Sequence, residues 1–282
     1  MTKRRVFIHT NNKQLLGAKL AEYAIHKNTK NNDIEIEILN VDDREDFKDF
    51  VGRSYKRSGN KYFHKQEDLQ SFTLSRFLPP ELMNYEGRSV VIDPDIFALG
   101  DISNLFDVNL DDCAVAACKK KSSWDSSVML MENSLLKHWS MSQILNDLTT
   151  NKLDYNDIMT LKFENSVHEL NRDWNDLDNL TDDTLMLHTT NRLSQPWRTG
   201  LKVDFTRMPM KKIFGIIPRE PIHWLLGKRP NRYQKHPNPS IEKFFMNLLN
   251  NALKDDFISY ELLKEEIDKK HLREDIFKFI NN

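Results

Sequence analysis

The sequence predicts an α/β fold, with a mostly parallel sheet flanked by helices and a helical addition at the C-terminus. Three observations indicate it. Apolar runs of strand length recur, polar residues directly follow several of them, and an amphipathic helical stretch separates the first two. Alternation of strand, polar turn and helix is typical of a parallel sheet whose strand ends bind ligands. We expect this domain over residues 1–239 and a helical appendage over residues 240–282.

Composition limits the class of protein. The chain has 282 residues, of which 29% are charged and 39% hydrophobic, enough for one large domain with an appendage. No stretch of eighteen apolar residues occurs, and Val6–Ile8 is too short for the core of a signal peptide. Cys113 and Cys118 stand in an apolar run, which favours buried thiols in a reducing compartment. These features predict a cytoplasmic location.

The first βα unit opens the chain. Val6–Ile8 predicts a buried strand, followed by a polar turn at residues 10–12 and an amphipathic helix that begins near Leu15. Alternating apolar and acidic residues at 34–38 predict the second strand. Because no Gly-x-Gly-x-x-Gly follows the first strand, a dinucleotide-binding fold of the usual kind is disfavoured.

Further elements follow in order. Residues 52–68 are polar, basic and punctuated by glycine, and we expect a mobile loop, more as a solvated connection than as a lid. The remaining predicted elements are a helix-like segment at 72–83, strands at 90–92, 114–117 and 128–131, and a helix at 135–148. Another apolar run lies at 186–188. We predict two further helices, at 241–253 and 260–280, with N-caps at Ser240 and Ser259.

The central apolar strand, 90–92, delivers two carboxylates. Asp93 and Asp95 are one residue apart, so on an extended chain both side chains point the same way. Two close carboxylates repel each other unless a positive charge lies between them. A hard divalent cation that also binds substrate phosphates would neutralise both carboxylates. The alternative is that both acids are ordinary turn and cap residues.

Charge is distributed unevenly. Residues 146–187 hold ten Asp/Glu against three Lys/Arg, whereas residues 198–236 hold ten Lys/Arg against two Asp/Glu. The basic segment predicts an anionic partner. We interpret it as a wrap over a phosphate-containing ligand, with peripheral contact to an anionic membrane as a further hypothesis. Interleaved aromatic residues are compatible with nucleic acid, but we predict no nucleic-acid partner.

Three motifs in the same order resemble glycosyltransferase family 8, over roughly residues 6–197. Thr10-Asn11 with Gly17-Ala18 is similar to the family's first donor-binding turn. The second is Phe72-x-x-x-Arg76 followed by Val91-Ile92-Asp93-Pro94-Asp95-Ile96-x-x-Leu99-Gly100-Asp101-Ile102, which resembles the Asp-x-Asp block. Leu187-His188 with Pro196-Trp197 is similar to the closing signature.

The resemblance implies a GT-A-type fold and a nucleotide-diphosphate sugar donor, a UDP-sugar above all. It implies Mn²⁺ or Mg²⁺ held by Asp93, Asp95 and His188. The donor would be bound by His9, Thr10, Asn11, Arg76 and Asp93. Family members retain the anomeric configuration, which the resemblance also implies for this chain.

Several positions depart from the family pattern. Gln14 stands where the family places an aromatic stacker, and Tyr155 replaces the amide of the Asp-Gln block; we expect both to face solvent. Gln195 replaces a phosphate-binding lysine, so Arg192 and Arg198 are candidates to supply that charge. Asp125 and Asp154 occupy two further family blocks and are the candidate catalytic residues, Asp125 toward the acceptor.

The sequence therefore predicts a metal-dependent glycosyltransferase whose acceptor is the hydroxyl of a glycan, a lipid-linked sugar or a protein. A sugar nucleotidyltransferase is the first alternative, although the glycine-rich, lysine-containing loop expected there is missing. A binding protein of the same fold without turnover is the second. The sequence does not indicate the oligomeric state.

Overall fold

The computed structural model describes residues 3–31, 33–207 and 230–280. The chain forms two compact units, Met1–Thr189 and Thr190–Asn282. A boundary after residue 239 stays a prediction. Residues 208–229, at the centre of the basic segment, lie outside the described residues, so the interpretation of that segment as a wrap is also still a prediction.

The described elements are bounded as follows. The strands are β1 (Arg4–Thr10), β2 (Glu35–Asn40), β3 (Ser54–Arg57), β4 (Asn60–Phe63), β5 (Arg88–Ile92), β6 (Ile96–Ala98), β7 (Val115–Lys120), β8 (Ser123–Glu132), β9 (His168–Leu170), β10 (Asp176–Leu177) and β11 (Met186–His188). The α-helices are α1 (Leu15–Asn28), α2 (Glu45–Lys48), α3 (Pro79–Leu82), α4 (Ser103–Phe106), α5 (Met141–Thr149), α6 (Tyr155–Met159), α7 (Pro239–Lys254), α8 (Tyr260–Asp268) and α9 (Phe277–Ile280). The 3₁₀ helices cover Asn12–Gln14, Val41–Asp43, Ser71–Phe77, Asn133–Leu135, Arg172–Asn175 and Pro196–Arg198.

The first unit is built on a six-stranded sheet with the order β2-β1-β5-β8-β7-β9. β1 is parallel to β2 and β5, and β7 is parallel to β9. β8 is antiparallel to both of its neighbours, β5 and β7. The carboxyl ends of the other five strands therefore lie at one edge, which confirms the predicted α/β fold with a mostly parallel sheet.

Both faces of this sheet are covered, which explains why its strands read as continuous apolar runs. Phe7, Val91 and Met129 belong to one hydrophobic cluster with residues of the 3₁₀ helix Ser71–Phe77 and of α5. Helix α1 packs near β1 and β6 and buries Leu16 and Leu20 at helical spacing. The predicted strands at 6–8, 90–92, 114–117 and 128–131 are all confirmed, although β7 ends three residues later and β8 begins five residues earlier than predicted.

A second, three-stranded sheet with the order β10-β11-β6 places the end of β11 beside the residues that follow β5. β11 runs parallel to β10 and antiparallel to β6. In this register His188 lies opposite Ile96. Residues 93–95 connect β5 to β6. The pairing of β11 with β6 therefore brings His188 next to Asp93 and Asp95, although it lies far from them along the chain.

The prediction of a loop at residues 52–68 is wrong, because β3 and β4 form an antiparallel hairpin there. Ser58 and Gly59 both have positive φ, 50° and 74°, as a two-residue primed turn requires. Tyr55 is 8% exposed, and its ring packs on Tyr155 with centroids 5.7 Å apart. Residues on the inner face of the hairpin, such as Tyr55, thus anchor this segment. Its basic residues, taken alone, are typical of a loop.

Three predicted helices differ from the structure. The segment at 72–83 is a 3₁₀ helix followed by α3, because Pro79 and Pro80 have no N–H to donate. The helix predicted over 135–148 begins only at Met141. The helix predicted over 260–280 is divided into α8 and α9, and Lys270, with φ of 62°, lies between them.

The second unit is helical in its C-terminal part, as predicted. Ser259 caps α8 by accepting from the N–H of Leu262, whereas α7 is capped by Asn238 rather than by Ser240. Pro239 occupies the first position of α7, which suits a residue without an N–H. Within the described ranges, no helix has the combination of length and hydropathy that crossing a membrane requires.

Candidate functional site

Two carboxylates and an imidazole converge at the carboxyl edge of the six-stranded sheet. One potential ligand atom from each of Asp93, Asp95 and His188 lies within 4.8 Å of the other two. All three residues are buried, with 7–9% of their surface exposed. His188 Nε2 lies 3.6 Å from Asp95 Oδ1. The structure therefore brings together the ligands that the resemblance implied, although His188 is remote in sequence.

Asp93 is fixed by two neighbours. Arg76 donates from Nε to Oδ1 at 3.0 Å and from Nη2 to Oδ2, while His9 Nε2 lies 2.6 Å from Oδ1. Burial raises the pKa of Asp93, but Arg76 and His9 lower it more, so this pKa is held well below its usual range. Asp93 is therefore a carboxylate at any ordinary pH.

This hydrogen bonding limits how Asp93 can bind a cation. Oδ1 already accepts two N–H groups, so both of its lone pairs are engaged. Oδ2 accepts one, from Arg76, and keeps a lone pair for another partner. With one oxygen of Asp95 and Nε2 of His188, the three residues fit a divalent cation that takes oxygen and imidazole ligands. Such a set leaves coordination positions for substrate oxygens.

His9 and Arg76 were predicted as donor ligands, and both instead contact Asp93. His9 is fully buried; burial is the largest effect on its pKa and lowers it, although Asp93 acts in the opposite direction. Arg76 also donates to Ser126 Oγ at 3.0 Å. A direct donor contact by either residue stays a prediction.

The side chain of His188 is held from its other nitrogen by residues that the sequence did not single out. His188 Nδ1 lies 2.8 Å from Asn175 Oδ1 and 3.4 Å from Ser127 Oγ. Asn175 ends the 3₁₀ helix Arg172–Asn175, next to β10, and both Asn175 and Ser127 are 2% exposed. No sequence motif marks Asn175, because its position beside His188 depends on the pairing of β10 with β11.

The two candidate catalytic acids occupy different settings. Asp125 accepts from the backbone N–H of Ser127 at 3.1 Å and from its hydroxyl at 2.7 Å. Burial raises the pKa of Asp125, but His188, Ser127 and Lys120 lower it more. Asp154 is the N-cap of α6 and also accepts from the N–H groups of Ser58 and Gly59, at 3.0 and 2.8 Å. Those contacts give Asp154 a structural role, and catalysis by either acid stays a prediction.

The first turn is buried. Thr10 and Asn11 are at most 1% exposed, and Asn11 Nδ2 donates to Ser71 Oγ at 2.9 Å. Gln14 and Tyr155, which we expected to face solvent, are 3% and 6% exposed. That expectation is wrong: both side chains are buried, and Tyr155 is covered by Tyr55 of the β3–β4 hairpin. Donor binding by Thr10 and Asn11 stays a prediction.

Arg192 and Arg198 belong to the second unit. The guanidinium of Arg192 lies over the ring of Phe205, 5.9 Å from its centroid. Arg198 is fully buried, donates to Asp204 at 2.7 Å and stacks on Tyr233. Their role as substitutes for the family lysine stays a prediction.

Comparisons with known proteins agree with this geometry. The sequence model described as "Glycosyl transferase family 8" matches residues 8–192. A search of curated proteins finds no match. Among solved structures, the glycosyltransferase GlyE of Streptococcus pneumoniae TIGR4 superposes with a TM-score of 0.51 at 17% identity, over 83% of this chain and 66% of that one.

Two further structures have the same fold. An active-site mutant of LgtC matches with a TM-score of 0.51 at 13% identity, over 69% of this chain and 89% of that one. The bifunctional glycosyltransferase WbbM matches with a TM-score of 0.52 at 14% identity, over 70% of this chain and 47% of its own. This chain thus spans less than the full length of GlyE and WbbM, and at these identities the likeness shows the fold.

Proposed function

The chain belongs to glycosyltransferase family 8, and from this premise we propose that it transfers a sugar from a nucleotide-diphosphate sugar to an acceptor hydroxyl with the help of a divalent cation. The observation that carries the proposal is the convergence of Asp93, Asp95 and His188 within 4.8 Å at the carboxyl edge of the sheet. This edge is where ligands bind in open α/β sheets. A UDP-sugar is the donor we propose first, with retention of configuration.

Asp93, Asp95 and His188 would hold the cation, which supplies positive charge to the diphosphate that leaves when the sugar bond breaks. The protein prepares its side of this site in advance. Arg76 and His9 fix the Asp93 carboxylate in one orientation, so its free lone pair on Oδ2 points to a constant place. Burial of all three ligands strengthens each electrostatic interaction there. We propose Mn²⁺ or Mg²⁺, since carboxylate oxygens suit both.

Further proposals concern the nucleoside side of the donor, the acceptor and a membrane contact. We propose that Thr10 and Asn11, at the carboxyl end of β1, contact the nucleoside side of the donor. The acceptor is a glycan, a lipid-linked sugar or a protein, and Asp125 is the residue we propose nearest to it. Contact with an anionic membrane through the basic segment remains a hypothesis.

The test is release of nucleoside diphosphate from a panel of nucleotide sugars, with and without Mn²⁺ or Mg²⁺, by the wild type and by Asp95→Asn. Removing one ligand should reduce turnover by about 10²–10³-fold, the usual cost of losing a group that stabilises transition-state charge. Asp107→Asn is the matched control, because Asp107 is exposed and pairs with Arg4 at the opposite edge. Unchanged activity in Asp95→Asn, or release without any cation, would contradict the proposal.

Two further measurements separate the alternatives. Pyrophosphate formed from a nucleoside triphosphate and a sugar phosphate would indicate a nucleotidyltransferase. Calorimetric binding of a nucleotide sugar without turnover toward any acceptor would indicate a binding protein.

A further inference from the structure

The donors and acceptors around His188 form a chain with a fixed direction. Its first member is Asp125, whose Oδ1 also accepts from the backbone N–H of Ser127 at 3.1 Å and, as a carboxylate oxygen, can only accept. The Ser127 hydroxyl lies 2.7 Å from Asp125 Oδ1 and must give it its one proton. Ser127 Oγ is then left as an acceptor for every other neighbour.

The next hydrogen bond in the chain is the one from Asn175 to Ser127. Asn175 Nδ2 lies 3.0 Å from Ser127 Oγ and can donate to it, since the hydroxyl proton is already committed. This bond orients the amide, so the other end, Oδ1, faces His188 Nδ1 at 2.8 Å. A carbonyl oxygen only accepts, and therefore Nδ1 carries the ring proton. The longer contact from His188 Nδ1 to Ser127 Oγ, 3.4 Å, has the same direction.

Resting on the proposed function, we infer that Asn175 and Ser127 are positioning residues, which fix His188 in the tautomer protonated on Nδ1 and so present the Nε2 lone pair to the cation. In a neutral imidazole only one nitrogen carries a proton, so the partner of the first decides the state of the second. Nε2 is the nitrogen that faces Asp95, at 3.6 Å.

Ser127 has a second connection that a purely local contact would lack. Its backbone carbonyl accepts from the N–H of Asp93 at 3.2 Å. One residue of β8 therefore touches both the strand end that carries the acid pair and the ring of the ligand from β11. His188 O in turn accepts from the N–H of Asp178, just after β10, so backbone and side-chain contacts hold the ring in the same place.

The experiment is ¹⁵N NMR of histidine-labelled protein without metal, at a pH at which the ring signals themselves show that His188 carries a single proton. Two-bond nitrogen–proton correlations identify which ring nitrogen is protonated, and His188→Gln assigns the signal. We expect the Nδ1–H form in the wild type. In Asn175→Ala we expect a mixture of tautomers, and a Mn²⁺ affinity by calorimetry that is about 10–100-fold weaker, the usual effect of removing such a partner.

Two companion variants separate positioning from folding. Ser127→Thr keeps the hydroxyl and should retain the wild-type tautomer, whereas Ser127→Ala should lose it. Asn133→Ala is the matched control, since Asn133 is a fully buried amide that accepts from the Ser89 hydroxyl at 2.7 Å. It should change neither the tautomer nor the affinity.

Each outcome has one meaning. His188 protonated on Nε2 in the wild type, or an unchanged tautomer in both Asn175→Ala and Ser127→Ala, would overturn the inference. A wild type that shows the Nδ1–H form but binds neither Mn²⁺ nor Mg²⁺ would contradict the proposed function and leave the tautomer assignment supported.

Discussion

The two edges of the main sheet both carry charged residues, but they arrange them differently. At the amino edge, a cleft of about 590 Å³ is lined by Lys3, Arg4 and Arg5 among others. Arg4 pairs with Asp107 at 2.6 Å and Lys3 with Glu86 at 2.8 Å, with the acids 60% and 63% exposed. At the carboxyl edge, Asp93, Asp95 and His188 converge with 7–9% exposure.

This difference shows that the burial and convergence of charged side chains, rather than their number, distinguish the two edges. Paired charges in solvent cost little and contribute little, so they are common on any surface. Two carboxylates placed together away from water repel each other, and such an arrangement persists where a ligand compensates it. The carboxyl edge therefore has the stronger claim to function, because its charged residues converge out of the solvent.

The largest expected contrast is between two arginine–aspartate pairs. Arg76→Met removes the partner of buried Asp93, and loss of one member of a buried pair costs about 3–5 kcal/mol of unfolding free energy. Arg4→Met breaks an exposed pair, for which we expect a cost of about 0–1 kcal/mol. Urea unfolding of both variants measures the difference. Equal costs would show that the two edges are not distinguished by burial.

A smaller contrast concerns pH. His64 lies near Asp42, just beyond the carboxyl end of β2, and burial lowers its pKa to about 4 against the opposing effects of Asp68 and Asp42. Its folded pKa is below its unfolded one, so its contribution to stability is complete above about pH 6.5 and is lost as pH falls toward 4. The loss from this group is roughly 3 kcal/mol for a shift of this size.

His64→Gln should therefore flatten the dependence of unfolding free energy on pH between 6.5 and 4. Denaturant unfolding at a series of pH values in this range measures the slope. Parallel curves for the wild type and His64→Gln would contradict the prediction.

The smallest expected difference is between two glycine variants. It tests whether the amino edge affects the stability of the fold and leaves cation binding unchanged. Gly87, with φ of 64°, precedes β5, and a Cβ there would clash with the backbone carbonyl of Lys3. Gly52, with φ of 77°, has no heavy atom within 4 Å of such a Cβ. Both changes to Ala carry the backbone cost of about 1–2 kcal/mol, and Gly87→Ala adds about 1–3 kcal/mol for the clash.

Thermal or urea unfolding measures this gap between the two glycine variants. We expect folded Gly87→Ala and the wild type to give the same result in a calorimetric titration with Mn²⁺, because the clash is at the opposite edge from Asp93 and Asp95. Weakened binding in that variant, at equal folded fraction, would show that the two edges are coupled.

Most of the sheet could be predicted from the sequence because its strands are covered on both faces. Val90–Ile92 and Val128–Met131 are apolar runs that only a doubly covered strand explains. Asp93 and Asp95 are identified by their one-residue spacing behind a buried strand, whereas His188 is identified only through the family resemblance. Their convergence depends on the register of β11 with β6, which no local pattern encodes.

The parts that were missed depend on contacts remote in sequence. The basic outer face of the β3–β4 hairpin predicts a loop, although Ser58-Gly59 is a usable turn signal. Tyr155 was placed in solvent because its burial depends on that hairpin. Asn175 has no signal at all, since a single amide acquires its role only from the ring beside it.

The ligand cluster has a consequence for how the first unit melts. Its members come from residues 93, 95 and 188, which are far apart along the unfolded chain. A cation bound there would act as a reversible cross-link that only the native state possesses. By mass action it would add about 2.7 kcal/mol of stability at one hundred times its Kd, so the apparent midpoint of heat denaturation would rise with the concentration of the ion.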